Sequence, residues 1–217
     1  MICKQCSVEY VWEVPLVVAE FAPKLCAHCL KVNAEGRRMD ELNRMQMLRA
    51  KKFNGLCPLE FQETEIDKMP NRAAAEKVLA WKEGKRGLLL YGPTGRGKTR
   101  AVWLLLGKLA LAGRCFVVMD SLAGFEFMSS FNSNSSYDWI LRRCTCSLLF
   151  MDDVFKVKLT DAFEAAIFSI IEYRLSHQLP MIVTLNDTSA TLMSRMTSDR
   201  GAALLRRLTE MSEAVEF

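Results

Sequence analysis

The chain has 217 residues, of which 50% are hydrophobic, and its 29 basic and 25 acidic residues give a formal net charge of +4. This length suits one compact α/β domain plus a small appendage. The mild positive charge permits a nucleic-acid partner without requiring one. No apolar run approaches the roughly 18 residues needed to span a membrane, and the first residues do not form a secretory segment. We therefore expect a cytoplasmic protein with no membrane contact.

Near the N-terminus, four of the eight cysteines form two C-x-x-C pairs, Cys3/Cys6 and Cys26/Cys29. The gap between the pairs falls within the about 15–20 residues typical of zinc sites. Each pair supplies two thiolates, and two pairs complete a tetrahedron, so His28 is not needed as a ligand. A redox C-x-x-C is the alternative, but two such pairs at this spacing are typical of a metal site. The pattern predicts a structural Zn²⁺ module over residues 1–32.

Between the cysteine pairs, Val8–Trp12 and Leu16–Glu20 are predicted to form hairpin strands. A polar helical linker is expected over residues 33–54. Its apolar residues recur at helical spacing (Met39, Leu42, Met45 and Leu48), and basic residues occupy its other faces. These basic side chains could contact nucleic acid or an acidic partner, or simply be solvated, and the sequence leaves these alternatives open.

Residues 92–99 read GPTGRGKT and directly follow the apolar run 87–91. They match G-x-x-x-x-G-K-[ST], in which the glycines let successive backbone N–H groups cradle phosphate oxygens. Lys98 can reach the β- and γ-phosphates of ATP, and the Thr99 hydroxyl can ligate Mg²⁺. The predicted nucleotide-binding residues are Gly92, Pro93, Thr94, Gly95, Arg96, Gly97, Lys98, Thr99 and Arg100.

A second acidic motif follows about fifty residues later, where the apolar run 147–151 ends in Asp152 and Asp153. The carboxyl ends of strands are where open α/β sheets present ligands. We expect Asp152 to hold Mg²⁺ and Asp153 to orient the attacking water or accept its proton. Two adjacent carboxylates are tolerated together when a cation lies beside them, and Mg²⁺ supplies that charge.

Short apolar strands alternate with helices along the rest of the chain. This alternation predicts an α/β fold with a parallel sheet covered by helices on both faces. The expected strands are 87–91, 115–119, 147–151 and 180–184, and the expected helices are 71–83, 101–106, 121–131 and 161–176, with one or two more in the tail 188–217.

The ordered motifs GPTGRGKT, LLFMDD, IVTLN and GAALLRRL resemble those of the AAA+ ATPases of the DnaC/IstB group, which are bacterial and phage helicase loaders and transposition helpers. The resemblance covers residues 55–217, which would form the AAA+ domain. The cysteine pairs are similar to the zinc-binding N-terminal domains of DnaI-type loaders. By resemblance, Asn186 is the sensor of the γ-phosphate, and Arg207 is the arginine finger, with Arg206 as the alternative. A finger that acts on a neighbouring subunit implies a homo-oligomer.

The resemblance implies an ATPase that loads a replicative helicase onto DNA, with hydrolysis as the switch. The zinc module would dock on the helicase, and the AAA+ domain would assemble and contact single-stranded DNA. A transposition helper and a nucleotide-switched adaptor with little turnover are the alternatives. The chain also departs from the family pattern. It ends soon after Arg207, so no C-terminal lid and no second sensor arginine are expected, and Val154 and Phe155 stand where a glycine is usual. A small loader of this kind would suit a phage.

Overall fold

The computed structural model describes residues 2–11, 24–120, 122–123, 126–127, 135–156, 160–186 and 198–217. The chain divides into two compact units, Met1–Lys52 and Phe53–Phe217. The predicted strand Leu16–Glu20 and most of the helix predicted over 121–131 lie outside the described residues. Among the helices described, none has both the length and the apolar character needed to cross a lipid bilayer.

The first unit is built around three buried thiols and the start of a long helix, α1 (Ala27–Leu56). Its N-terminal turn is closed by backbone hydrogen bonds from Cys3 to Val8 (2.9 Å) and from Ser7 to Cys3 (3.0 Å). Of the predicted hairpin, residues 8–11 are described, and there Glu9 forms an isolated antiparallel bridge with Ile2. The helix predicted as a linker is therefore longer than expected at both ends.

The second unit alternates strands with helices. Its strands are β1 (Gly87–Tyr91), β2 (Val117–Met119), β3 (Leu149–Asp152), β4 (Met181–Leu185) and β5 (Ser212–Glu216). Its helices are α2 (Leu59–Gln62), α3 (Arg72–Ala80), α4 (Lys98–Leu111), α5 (Ser135–Thr145), α6 (Asp161–Ser176) and α7 (Ser198–Glu210), with 3₁₀ turns at Ile66–Lys68 and Val154–Lys156.

Helix starts follow from local capping chemistry. The Asn71 side chain accepts a hydrogen bond from the Ala74 amide (3.1 Å), and the Thr160 hydroxyl accepts one from the Phe163 amide (3.4 Å), which satisfies amides that the first helical turn leaves unpaired. The helix predicted over 161–176 is confirmed. Helix α5 was not predicted.

All five strands are parallel, in the order β2-β3-β4-β1-β5. Strand β4 therefore lies between β1, which precedes the phosphate loop, and β3, which leads into the acid pair. The register places Asp152 opposite Thr184. The carboxyl ends of β1, β3 and β4 consequently meet at one edge of the sheet, as a binding site at strand ends requires.

Alternating side chains of β1 to β4 enter two separate cores, one on each face of the sheet. On β1, Leu88 and Leu90 pack with α3 and α4, whereas Leu89 packs with α6 and α7. The neighbouring strand β4 follows the same alternation. Ile182 lies in the core with α3 and α4, and Val183 lies in the core with α6 and α7. This confirms the expected parallel α/β sheet with helices on both faces.

A fully buried arginine joins three of these elements. One terminal nitrogen of Arg174 in α6 donates to the carbonyls of Arg143 (2.8 Å), Cys144 (3.1 Å) and Cys146 (2.8 Å) at and just after the end of α5. The other terminal nitrogen donates to the carbonyl of Pro180 (2.6 Å), just before β4. Burial lowers the pKa of Arg174. Carbonyl dipoles thus compensate a buried guanidinium that has no carboxylate partner in the described contacts.

Candidate nucleotide-binding site

The phosphate loop (residues 92–99) connects β1 to α4, and its shape depends on glycine. Gly92, Gly95 and Gly97 have positive φ angles of 136°, 81° and 93°. A Cβ atom on Gly92 would lie 2.3 Å from the carbonyl oxygen of Phe217, so an alanine there would force the backbone apart. Gly97 caps α4 in the left-handed conformation, and this directs the helix N-terminus, where anions are favoured, into the loop.

Lys98 is the one buried residue in the loop. Its side-chain nitrogen donates to the carbonyls of Gly92 (2.8 Å) and Pro93 (2.9 Å), and the residue is 4% exposed. Burial lowers the pKa of Lys98, while the carboxylates of Asp153 and Asp152 oppose that shift. The predicted ligands Pro93, Thr94, Gly95 and Arg96 are exposed around it. The loop therefore presents an ammonium group behind a rim that is open to solvent.

Thr99, Asp152 and Thr184 come together from α4, β3 and β4. The hydroxyls of Thr99 and Thr184 donate to the same oxygen, Oδ1 of Asp152, at 2.7 and 2.8 Å. Burial raises the pKa of Asp152, and these two hydroxyls oppose the rise. A hydroxyl beside a carboxylate at a phosphate loop is the oxygen-donor set that Mg²⁺ prefers, so these residues fit the ion that the sequence predicts.

Asp153 is held from two sides. Its amide donates to the Thr184 hydroxyl (3.0 Å), and its side-chain oxygen Oδ2 accepts a hydrogen bond from the Asn186 side-chain nitrogen. Its φ of 49° turns the backbone away from the extended path of β3. The carboxylates of Asp152 and Asp153 are therefore directed into different environments, as a metal ligand and a water-orienting group need to be.

The sequence prediction missed Thr184. Its hydroxyl both donates to Asp152 and accepts from the Asp153 amide, so one side chain fixes both aspartates. The signal was present, because Thr184 is the one polar residue in the strand MIVTL and is fully buried. A buried hydroxyl in an apolar strand requires a polar partner.

Arg100 was predicted to bind nucleotide, and its side chain is directed elsewhere. One terminal nitrogen donates to the Glu60 carbonyl (2.7 Å) and to the Thr64 hydroxyl (3.3 Å), and the guanidinium lies over the ring of Phe61, 5.4 Å from its centroid. Phe61 stacks on Trp103 of α4 at 6.4 Å. Arg100 therefore connects α2 and the residues that follow it to α4, the helix that begins in the phosphate loop.

The two arginines predicted for the finger role differ in environment. Arg207 pairs with Glu172, lies 4.7 Å from the ring centroid of Phe168 and has an 18% exposed side chain. Arg206 is 70% exposed and lies 3.6 Å from Glu210 in the next turn of the same helix. The prediction of a finger at Arg207 stays a prediction, and Arg206 is the arginine that faces solvent.

The four predicted zinc ligands form one cluster in the first unit. Their sulfur atoms all lie within 4.8 Å of one another, and Cys6 and Cys26 are 3.7 Å apart. Zinc–sulfur bonds of about 2.3 Å in a tetrahedron would place sulfurs about 3.8 Å apart, so the cluster fits the ion.

The pKa shifts of these thiols are also consistent with a cation. Burial raises the pKa of Cys3, but amide hydrogen bonds from Cys26, Cys6 and Gln5 outweigh it and lower that pKa to about 6. Burial and the neighbouring thiols raise the pKa of Cys29. Four thiols this close cannot all ionise without a cation to compensate them.

Solved structures with a similar fold include a helicase loader, DnaI and a replication initiator. The crystal structure of the DnaC helicase loader matches with a TM-score of 0.61 and 23% identity, over 74% of this chain and 99% of that one. The DnaI crystal structure matches with a TM-score of 0.59 and 18% identity, over 74% and 94%. The replication initiator DnaA bound to AMPPCP and single-stranded DNA matches with a TM-score of 0.57 and 14% identity, over 72% and 50%.

Sequence comparison identifies the family. No curated protein sequence matches the chain. The family model of IstB-like ATP-binding proteins matches residues 18–217, a span that contains the phosphate loop, the acid pair and Asn186. The chain therefore belongs to the IstB-like ATP-binding proteins and is a P-loop ATPase of the AAA+ type.

Proposed function

We propose that this protein is a helicase loader, an ATPase that places a replicative helicase on single-stranded DNA and uses ATP hydrolysis to switch between holding and releasing it. The observation that carries the proposal is the combination of a DnaC-like ATPase fold with a four-cysteine module that precedes it. A replication role is also supported by the DnaI and DnaA folds among the similar structures.

The proposed hydrolysis uses the residues at the carboxyl edge of the sheet. Lys98 and the loop amides would bind the phosphates. Thr99 and Asp152 would hold Mg²⁺, which would supply positive charge to the phosphates. Asp153, held by Asn186 and the Thr184 hydroxyl, orients the attacking water and receives its proton. An arginine from a neighbouring copy completes the site, so the active form is a homo-oligomer.

The loading proposal is tested by co-purifying the protein with the replicative helicase of its host, in ATP and in ADP, and then by helicase-dependent unwinding of DNA coated with single-strand-binding protein. We expect complex formation that depends on the nucleotide state and unwinding that requires the protein. Equal absence of binding in both nucleotides would rule out a loader.

The hydrolytic mechanism is tested separately with Asp153→Asn. This substitution keeps the size of the side chain and removes the proton acceptor, so we expect ATP turnover to fall by about 10²–10⁴-fold while ATP binding is retained. Unchanged turnover would contradict the role given to Asp153.

A transposition helper is the second candidate, and the observation that favours it is the family model itself, which is that of IstB-like proteins. Binding to a transposase in place of the helicase, in the same co-purification, would identify this role. The four-cysteine module favours the loader, because its cysteine pairs resemble the zinc-binding N-terminal domains of DnaI-type helicase loaders.

A further inference from the structure

The net charge of the chain is concentrated on one helix. Helix α1 carries seven basic and three acidic residues, a net charge of +4 that equals the charge of the whole chain. The imbalance lies entirely in its second half, because residues 42–56 contain four basic residues and no acidic one.

Contrary to the expectation from sequence, the four basic residues in this half of α1 lie beside the apolar row and not on the other faces of the helix. At 3.6 residues per turn, Leu42, Met45 and Leu48 follow one another along the surface, and all four basic residues fall in the same half of the circumference as that row. The opposite half carries Asn43, Gln46, Met47 and Ala50. We call this side the basic face; its residues are Leu42, Arg44, Met45, Leu48, Arg49, Lys51 and Lys52.

The apolar row is open to solvent. Leu42, Met45 and Leu48 are 47%, 45% and 55% exposed. Arg44, Lys51 and Lys52 are exposed around them, and Arg49 is half-buried. Three exposed apolar side chains in one row, bordered by cations, form a helix surface that can lie in an apolar groove with carboxylates along its edges.

Two other kinds of partner fit this arrangement less well. A membrane-surface helix separates its basic and apolar faces, whereas here they coincide. A helix bound to DNA phosphates would gain from the cations but would leave Leu42, Met45 and Leu48 over a charged, hydrated backbone. A groove on a protein can contact both the cations and the apolar side chains, and the flexible methionine side chain can adapt its shape to such a groove.

We propose that the basic face of α1 docks into an apolar groove bordered by acidic side chains on the replicative helicase. The identity of the partner rests on the proposed function, and the surface itself rests on the charge and exposure of α1. The zinc module then need not carry the whole contact with the helicase.

The test measures binding of the full-length protein to the purified replicative helicase of its host, in ATP and in ADP. The apolar variant is Leu42→Gln/Met45→Gln/Leu48→Gln, and the charge variant is Arg44→Glu/Lys51→Glu/Lys52→Glu. Because these side chains are exposed and glutamine has a helix propensity close to those of leucine and methionine, α1 should still form, which far-UV circular dichroism verifies. We expect each variant to weaken helicase binding about tenfold or more with unchanged basal ATP turnover.

Matched controls place equivalent changes elsewhere. Met47→Gln alters an exposed methionine on the opposite half of α1, and Lys82→Glu/Lys85→Glu/Lys108→Glu makes the same charge change on the second unit. Both should bind the helicase like the unmodified protein. Binding of the unmodified protein should also weaken with added salt, because exposed charges are screened.

Three outcomes would overturn the proposal. If the unmodified protein does not bind the helicase in either nucleotide, the loader function fails and this surface fails with it. If the unmodified protein binds and both face variants bind equally well, only the surface is wrong. If the apolar and charge variants still bind the helicase but no longer bind a single-stranded oligonucleotide, the basic face is a nucleic-acid surface.

Discussion

Two neighbouring arginines on α7 illustrate how contacts separate residues that the sequence cannot. Arg207 is paired with Glu172 and packed on Phe168, so it would have to break both contacts to reach a neighbouring subunit. Arg206 needs only to leave a 3.6 Å contact with Glu210, which at the surface contributes little. The exposed residue is thus better prepared to complete a site in another copy.

We therefore expect Arg206→Ala to slow ATP turnover by about 10³-fold or more without changing the melting temperature, since fingers are typically worth that much. Arg207→Ala should lower the free energy of unfolding by about 1–3 kcal/mol, because it removes a charged contact and a ring contact inside the fold. Turnover assays and thermal unfolding of both variants distinguish the roles. A slow but fully stable Arg207→Ala protein would identify Arg207 as the finger instead.

The half-buried carboxyl of Asp152 should give the fold a measurable pH dependence. A raised folded-state pKa stabilises the fold below the unfolded pKa of about 3.9, and this contribution is lost as the pH rises through the folded pKa. Without divalent ions, we expect Asp152→Asn to be more stable than the unmodified protein at pH 7. The difference should shrink as the pH falls towards 4.

Urea unfolding of both proteins across that pH range measures the effect. Added Mg²⁺ and ATP should stabilise only the unmodified protein appreciably, because asparagine lacks the charge that holds the ion. A stability difference that grows as the pH falls would contradict the assignment of a raised pKa to this carboxyl.

The residues proposed for the nucleotide site belong to local sequence motifs, whereas the residue that supports them does not. Lys98, Thr99 and the two aspartates belong to motifs in which backbone geometry fixes the spacing of chemical groups. Thr184 joins them only through the pairing of β3 with β4, since the residue opposite Asp152 is set by tertiary register. No local sequence pattern predicts the register between β3 and β4.

At the scale of elements, Arg100 joins α2 to the start of α4. A cation in the first turn of a helix is locally unfavourable, and its contacts with Glu60, Thr64 and Phe61 offset that cost. The neighbouring Gln62 donates to the carbonyls of Asn54 (2.9 Å) and Cys57 (2.8 Å). Arg100 is therefore a positioning residue for the elements that precede the phosphate loop.

Arg100→Ala should lower the free energy of unfolding by about 1–2 kcal/mol, because it removes hydrogen bonds from a charged donor. The affinity for Mg-ATP should change less than about threefold. Denaturant unfolding and nucleotide titration give the two values, with Lys108→Ala, at an exposed residue of the same helix, as the control. Unchanged stability together with a tenfold loss of ATP affinity would restore Arg100 as a nucleotide ligand.

The strands were predictable because each is a short apolar run between polar segments. Their order was not, because β4 enters between β1 and β3 through contacts distant in sequence. Helix α5 was missed for a local reason: its first residues, Ser135 and Ser136, continue a run of asparagine and serine that is typical of a loop. Packing of Trp139 and Ile140 against the core stabilises the helix despite that start.

At the scale of the whole molecule, the cysteine cluster lies within Met1–Lys52 and the nucleotide site within Phe53–Phe217. Since structural zinc supplies folding free energy, we expect Cys29→Ser, or a strong chelator, to unfold the first unit while ATP binding by the second is retained. Metal analysis should give one zinc per chain, and limited proteolysis should then cut within residues 1–52. Cys115→Ser, at an exposed thiol outside the cluster, should keep the zinc.

A zinc content near zero in protein purified without chelator would contradict the metal site. Loss of ATP binding together with the metal would show that the two units do not fold independently.

The buried guanidinium of Arg174 also restricts the order in which the chain can fold. Its four carbonyl partners come from residues 143–146 and from Pro180, on either side of it in sequence. During synthesis, a ribosome that has released the chain only as far as α6 leaves this cation without its acceptor at residue 180. The terminal nitrogen that donates to Pro180 must then stay hydrated, and we expect that the face of α6 that bears it does not yet close over the sheet. Completion of the core on that side thus awaits β4, the same strand that brings Thr184 to the two aspartates, so the fold and its reactive edge should form in one cooperative step.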